Sequence, residues 1–132
     1  MTSAQTTRPA NRKAYLACLI AALAFTLLEE LKIRPFLFKQ HVTTLAGSLP
    51  NALAPLILAF GYMAIKGAER PARTIAALVL GLVLYECVQP LMPGRTFDVN
   101  DIAASVLGGA VASLVVALVE RSGRARHPPR SS

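Results

Sequence analysis

One stretch of the sequence decides the fold: residues 99–119 read VNDIAASVLGGAVASLVVALV. This stretch is nearly free of charge and has the roughly 20 residues that a helix needs to cross the hydrocarbon core of a bilayer. Two further runs approach this length, and one shorter run must borrow length from its flanks. The other runs are residues 14–28, residues 45–65 (interrupted by Pro50 and Pro55) and residues 74–92. The sequence therefore predicts an all-α membrane protein, a four-helix transmembrane bundle.

The composition agrees with a chain that lies mostly in a membrane. Of its 132 residues only 16% are charged, whereas a typical soluble domain has about a quarter. The net charge of +7 could indicate a nucleic-acid ligand. However, the basic residues cluster at the ends of the apolar runs, and no aromatic residues alternate with them as stacking platforms. We therefore expect membrane lipids and no nucleic acid as partners.

The first apolar run could be either a retained helix or a cleaved signal peptide, because Arg12 and Lys13 precede it. Cleavage requires small residues at the end of the run, but Leu28 is followed by Glu29 and Glu30. This arrangement favours a retained helix.

The basic residues also predict the orientation. Ten Lys and Arg residues fall in the two terminal segments and the connection after the second run, against four in the other two connections. By the positive-inside rule both termini are cytoplasmic. We expect residues 1–11 to be a disordered cytoplasmic tail, residues 12–121 to form the four-helix transmembrane domain, and residues 122–132 to be a disordered basic cytoplasmic tail.

The last apolar run carries small residues at every fourth position, which would let a neighbouring helix approach closely. Helix packing is favoured over a glycine requirement at a ligand site, and self-association into a homo-oligomer stays open. The residues that we assign to helix packing are Gly81, Ala104, Ser105, Gly108, Gly109 and Ala112.

Polar residues mark the end of the third helix and the start of the fourth. Glu86 and Gln89 are three residues apart and share a helix face, as do Asp98 and Asp101, with Arg95 between the two pairs. Glu86 lies within the predicted span, where an ionisable group is expensive and should face the bundle interior or water.

Two interpretations of these five residues stay open. In the first, helix capping and an Arg–carboxylate pair fix the hairpin. In the second, the residues form a small acidic pocket at the outer membrane surface that binds a polar headgroup, a cation or a cationic ligand. The candidate ligand-binding residues are Glu86, Gln89, Arg95, Asp98 and Asp101. No dense pattern of metal ligands is present, so we predict neither a metal nor another cofactor.

Residues 86–101, ECVQPLMPGRTFDVND, resemble the signature of the VanZ-like family. That signature combines a Glu-x-x-Gln helix end, a Pro-Gly-Arg turn and an Asp-x-x-Asp start to a glycine-bearing last helix. The resemblance implies a multi-pass envelope protein of the bacterial cytoplasmic (inner) membrane. The namesake of the family is associated with resistance to glycopeptide antibiotics, teicoplanin in particular.

The sequence departs from that family pattern in two places. Ser105 stands where the family commonly has Asn just before the glycines of the last helix. Residues 47–52, GSLPNA, lack the Asp-Lys-x-x-His-type motif that many members carry before the second helix. Roles that depend on that motif are therefore not carried over to this chain.

We expect a non-enzymatic VanZ-like protein that affects susceptibility to glycopeptide antibiotics through the polar outer-face site, by binding a lipid-linked envelope precursor or the glycopeptide. One alternative is an intramembrane enzyme acting on a lipid-linked phosphate or sugar, with Glu86 or Asp98 as general base and Arg95 holding an anionic group. No catalytic residue is assigned. Another alternative is a small multidrug-type transporter, which needs a carboxylate deep in the first helix, whereas Glu29 and Glu30 sit at its end.

Overall fold

The computed structural model describes residues 9–125, and all regular structure among them is helical. The prediction of an all-α chain is therefore confirmed for these residues. A π turn at Glu29–Ile33 joins the first two helices, and a 3-10 turn at Gln89–Leu91 follows the fourth. The α-helices are α1 (Pro9–Leu28), α2 (Arg34–Lys39), α3 (Thr43–Lys66), α4 (Pro71–Val88) and α5 (Val99–Ala125).

Three helices are long and apolar enough to cross a membrane, as judged by length and composition. They span Thr43–Lys66, Pro71–Leu91 and Val99–Gly123. Large apolar side chains such as Leu80 and Leu114 are more than half exposed on these helices, which suits faces that contact lipid. α1 is not among the three, so its crossing of the bilayer, and with it the four-helix transmembrane bundle, stays a prediction.

α1 does not stop at the charged residues that follow Leu28. The helix continues through the π turn, in which the backbone N–H of Arg34 donates to the carbonyl of Glu29, and then through α2. The wider turn accommodates Pro35, which has no N–H to donate and stands in the first turn of α2. An ion pair between Arg34 and Glu30, 2.5 Å long, joins successive turns across the same stretch.

α3 lies at the centre of the helices and packs against α1, α4 and α5. Its two prolines do not break it, in contrast to the interruption that the sequence indicated. Pro55 cannot donate to the carbonyl of Asn51, four residues earlier. The hydroxyl of Ser105 on α5 donates to that carbonyl at 3.4 Å, so a neighbouring helix supplies the missing donor.

The small residues of α5 lie where the helices approach most closely. A Cβ added to Gly108 would overlap the backbone carbonyl of Ala52 on α3, and one added to Gly109 would overlap the side chain of Val79 on α4. Ala104, Ser105 and Ala112 are buried on the same helix.

Gly81 differs from the other residues assigned to helix packing. It is exposed, and no atom lies within 4 Å of a Cβ added to it. The reason is helical phase, because Ile75 and Val79 form the face that α4 turns toward Gly109. Among residues 9–125, Gly81 therefore packs against no other helix.

The end of the helices that carries the α3–α4 connection is held together by a partly buried polar network. The Oε1 atom of Glu120 on α5 accepts hydrogen bonds from the Tyr15 hydroxyl at 2.5 Å and from the Asn11 amide at 3.1 Å. Both donors belong to α1, so the network fixes the register of α1 against α5. A guanidinium nitrogen of Arg12 also donates to the carbonyl of Ile65 on α3.

The described helices reach a few residues into the segments predicted to be tails. α1 begins at Pro9 rather than after residue 11, and α5 continues to Ala125 rather than ending near residue 121. The rest of the two predicted disordered tails, residues 1–8 and 126–132, lies outside the described residues.

Candidate functional site

The helix order places the ends of α1 and α4 and the starts of α3 and α5 at one end of the molecule. We call this the hairpin end, because it carries the connection between α4 and α5, residues 89–98. All five candidate ligand-binding residues of the sequence analysis fall in this region. The contacts between helices show which of these residues lie at the same height along the helix axes.

Glu86 is buried at the hairpin end. The residue is only 3% exposed, and its Oε2 atom has no hydrogen-bond partner among the described residues. α4 and α5 run antiparallel, with Val79 against Gly109. Glu86 lies seven residues beyond Val79, so it stands opposite about residue 102 of α5, next to Asp101.

Four polar groups belong to the same region as the Glu86 carboxyl group. By helical register Asp101, in the first turn of α5, lies nearest in depth to Glu86, and Arg95 and Asp98 precede it in the connection. Gln89 is buried on the same face, one turn along the helix from Glu86. The structure therefore brings the five candidate residues to one end of the molecule, where Glu86 and Gln89 are buried and Arg95 is exposed.

Asp98 caps α5, in agreement with one of the two roles open to it. Its Oδ1 atom accepts hydrogen bonds from the backbone N–H and the side-chain amide of Asn100, both at 2.8 Å. The first of these bonds satisfies a backbone donor that the first helical turn leaves without a partner. Asp101 follows in the same turn, where a negative charge interacts favourably with the helix dipole.

The Arg–carboxylate pair of the structural interpretation does not form. Arg95 is exposed, and the ion pair found among residues 9–125 joins Arg34 and Glu30. The turn that carries Arg95 is held by the backbone instead, with Gly94 at a φ of 76° and the Arg95 N–H donating to the Met92 carbonyl at 3.3 Å. Capping accounts for Asp98, but it does not account for the burial of Glu86.

Two buried polar groups at the same end were not among the candidates. Glu29 is fully buried, and neither of its carboxyl oxygens has a hydrogen-bond partner among the described residues. The Oγ atom of Ser48 on α3 is also buried without a partner there. The π turn after α1, α3 and α4 thus each place at least one buried oxygen at the hairpin end that has no partner among the described residues.

The depth of Glu29 follows from the packing of α1 on α3. Leu19 lies 3.9 Å from a Cβ added to Gly61, and the two helices run antiparallel. Glu29 is ten residues, about 15 Å, beyond Leu19, and so it stands opposite about residue 51 of α3, within one turn of Ser48.

A signal for Glu29 was present in the sequence. Tyr15, Ala22 and Glu29 are spaced by seven residues, and all three are buried. Glu29 thus continues the buried stripe of α1, whereas its neighbour Glu30 points outward. The sequence carries no comparable signal for Ser48, because α3 has small residues on several faces.

The hairpin end has no arrangement typical of a metal site in the part of the chain that the structure describes. No three His, Cys, Asp or Glu side chains of residues 9–125 lie close enough together to hold a metal ion.

Fold and site together define a helical membrane protein with a buried acidic group at one end of its helices. A family model, VanZ/LLP1, matches residues 3–120. The chain therefore belongs to the VanZ/LLP1 family, which confirms the resemblance found in residues 86–101. No curated protein and no solved structure matches the chain.

Proposed function

We propose that this VanZ/LLP1-family membrane protein acts in the bacterial cell envelope and affects susceptibility to glycopeptide antibiotics. In this proposal the hairpin end binds an ammonium-bearing group of a lipid-linked envelope precursor or of the glycopeptide itself. The observation that carries the proposal is the buried Glu86 carboxyl group, whose Oε2 atom has no protein partner among the described residues.

A cationic group is the ligand that this environment favours. On the α4–α5 side of the hairpin end, the carboxyl groups of Glu86, Asp98 and Asp101 outnumber the single guanidinium of Arg95. The hairpin end as a whole is nearly balanced in charge, because it also carries Glu29, Glu30, Lys32, Arg34 and Lys39. Burying a carboxylate without a partner is costly, and a positively charged donor would offset that cost.

Arg95 gives the proposed site a second contact. Its guanidinium is exposed and is not engaged in the helix cap or in an ion pair with the described residues. A guanidinium binds phosphate and carboxylate groups through paired hydrogen bonds. A ligand with both an ammonium group and an anionic group could therefore contact Glu86 with the first and Arg95 with the second.

The orientation predicted from the basic residues supports an envelope role. On that prediction the hairpin end lies on the outer side of the cytoplasmic membrane, the side that an antibiotic from outside the cell reaches first. A ligand could bind at the hairpin end from the headgroup region and would not have to enter the hydrocarbon core.

Antibiotic tolerance in cells tests the proposal. Cells without the gene would be complemented with the wild type, Glu86→Gln, Arg95→Ala or Glu30→Gln, and the minimal inhibitory concentration of teicoplanin would be measured at equal membrane levels of protein. We expect Glu86→Gln and Arg95→Ala to behave like the deletion. Glu30→Gln is the matched control, because Glu30 is exposed at the same end and should behave like the wild type. Unchanged susceptibility on deletion would contradict the proposal.

A small multidrug-type transporter is a second candidate, because Glu29 is more deeply buried than its place at the end of the first apolar run indicated. An ionisable group buried between membrane helices is typical of proton-coupled transport. Drug-dependent proton flux into proteoliposomes that is lost in Glu29→Gln but kept in Glu30→Gln would support this candidate. Absence of flux with the wild type would remove it.

A further inference from the structure

A cavity of about 570 Å³ lies at the end of the helices opposite the hairpin end, between α3 and α4. It borders the connection Gly67–Arg70, which links the last residue of α3 to the first of α4. None of the candidate ligand-binding residues contributes to it. Its walls contain Lys66, Arg70 and Arg73, the hydroxyl groups of Tyr62 and Thr74, one acidic residue, Glu69, and the apolar Ala77 and Leu78.

The charged part of the cavity favours an anion. Lys66, Arg70 and Arg73 supply three positive charges, which the one carboxylate of Glu69 only partly balances. None of these side chains takes part in an ion pair within the described chain, where the pair present is Arg34–Glu30. A concave surface with excess positive charge raises the local concentration of anions.

The position of the cavity indicates an anionic group that belongs to the membrane. Lys66 ends one helix of membrane-spanning length and Arg70 directly precedes another, so the basic rim lies at the depth of lipid headgroups. Ala77 and Leu78 extend the wall one to two turns further along α4, toward the hydrocarbon core. A polar rim above an apolar wall suits a molecule with a charged head and an acyl chain.

We propose that this cavity is a binding site for an anionic phospholipid. Arg70 and Arg73 hold its phosphate group, Thr74 offers a hydroxyl donor, and an acyl chain lies along Leu78. Basic cavities between membrane helices are suited to such headgroups, because each Lys or Arg near the surface adds to the attraction. The site is separate from the hairpin end and does not rest on the function proposed for it.

Native mass spectrometry of the full-length protein in detergent tests this proposal. Phosphatidylglycerol and phosphatidylcholine with identical acyl chains would be titrated onto the protein, and the retained lipid would be counted. We expect the wild type to bind phosphatidylglycerol at a concentration at least about tenfold lower than the concentration of phosphatidylcholine that gives the same occupancy. The reason is that two Arg side chains each contribute to the preference. Arg70→Gln combined with Arg73→Gln should abolish this preference.

Lys32→Gln combined with Lys39→Gln is the matched control, because it removes two exposed positive charges from the opposite end of the molecule. This control should keep the preference, and an equal loss in both double variants would overturn the proposal. If the Arg double variant does not fold, as judged by circular dichroism, Arg70→Gln and Arg73→Gln alone must each weaken the preference several-fold. Wild-type affinity in both single variants would likewise overturn the proposal.

A soluble phosphate ester distinguishes the two possible sources of the anion. Glycerol 3-phosphate at a hundredfold excess should leave the bound phosphatidylglycerol in place, because it lacks the acyl chain that contacts the apolar wall. Displacement of the lipid by glycerol 3-phosphate would show a site for free phosphate esters and would overturn the assignment to a membrane lipid.

Discussion

Ser105 on α5 donates its hydroxyl hydrogen to the carbonyl oxygen of Asn51 on α3, the carbonyl that Pro55 leaves without a helical donor. A proline inside a membrane helix frees one backbone carbonyl, and a neighbouring Ser or Thr can satisfy it. Ser105 also stands where the VanZ-like pattern commonly has Asn. In this chain the hydroxyl therefore performs a structural role between two helices.

Replacing Ser105 by Ala should lower the free energy of unfolding by about 0.6–1.5 kcal/mol, because a buried carbonyl loses its donor. Thermal unfolding of the purified protein in detergent measures the change. Ser113→Ala is the control, since the Ser113 hydroxyl bonds to the Gly109 carbonyl within its own helix. Equal decreases in the free energy of unfolding of the two variants would show that the hydrogen bond between the helices contributes no more than the one within α5.

The same hydrogen bond predicts that the loss of stability caused by Ser105→Ala depends on Pro55. In a Pro55→Ala background the new backbone N–H can donate to the Asn51 carbonyl, so the loss caused by Ser105→Ala should become smaller. A double-mutant cycle on the free energy of unfolding isolates this coupling from the cost of removing the proline ring. Strict additivity of the two substitutions would contradict the assignment.

Gly108 and Gly81 should respond in opposite ways to substitution by Ala. At Gly108 the added methyl group overlaps the Ala52 carbonyl, so α3 and α5 must move apart, at about 1–3 kcal/mol. At Gly81 the methyl group meets no atom, and the higher helix propensity of Ala should raise the free energy of unfolding by up to about 1 kcal/mol. Thermal unfolding of both variants checks the two signs, and a destabilised Gly81→Ala would point to contacts with a second copy of the chain.

The apolar runs and the small residues of the last helix could be predicted because lipid imposes strong constraints. Without water, a segment must satisfy its backbone internally, and close helix contacts require small side chains. The pattern of residues 99–119 therefore predicted α5 and the region in which its glycines pack. It could not show that Gly81 faces away from α5, because that depends on the rotation of α4 about its axis.

Features that depend on a neighbouring helix could not be predicted. α3 runs through Pro50 and Pro55 without a break, and Ser105 on α5 supplies a donor from a position 54 residues away. The extension of α1 past Leu28 depends on a π turn that accommodates Pro35. At the hairpin end, the sequence predicted that Glu86 faces the bundle interior or water and that Asp98 can cap α5. It did not show that Arg95 forms no ion pair with the described residues.

Tyr15→Phe should destabilise the end of the molecule opposite the hairpin end. The substitution removes the 2.5 Å hydrogen bond to Glu120 and leaves Asn11 as the donor found for that carboxylate among the described residues. Loss of a hydrogen bond to a charged, part-buried acceptor should lower the free energy of unfolding by about 1–3 kcal/mol. Tyr85→Phe, at an exposed tyrosine, is the control and should unfold like the wild type. A wild-type unfolding temperature for Tyr15→Phe would contradict the role assigned to the network.

Glu29→Gln should stabilise the protein while lowering the teicoplanin tolerance that we propose it confers. An amide of the same shape is less costly to bury than a carboxyl group whose two oxygens lack partners, so the free energy of unfolding should rise. Functional sites commonly retain such unfavourable groups at the expense of stability. Glu30→Gln is the matched control, because it removes only an exposed ion pair with Arg34 and should change stability by less than about 0.5 kcal/mol. Thermal unfolding and teicoplanin tolerance would be measured on both variants. A destabilised Glu29→Gln with full tolerance would mean that Glu29 holds the helices together and binds nothing.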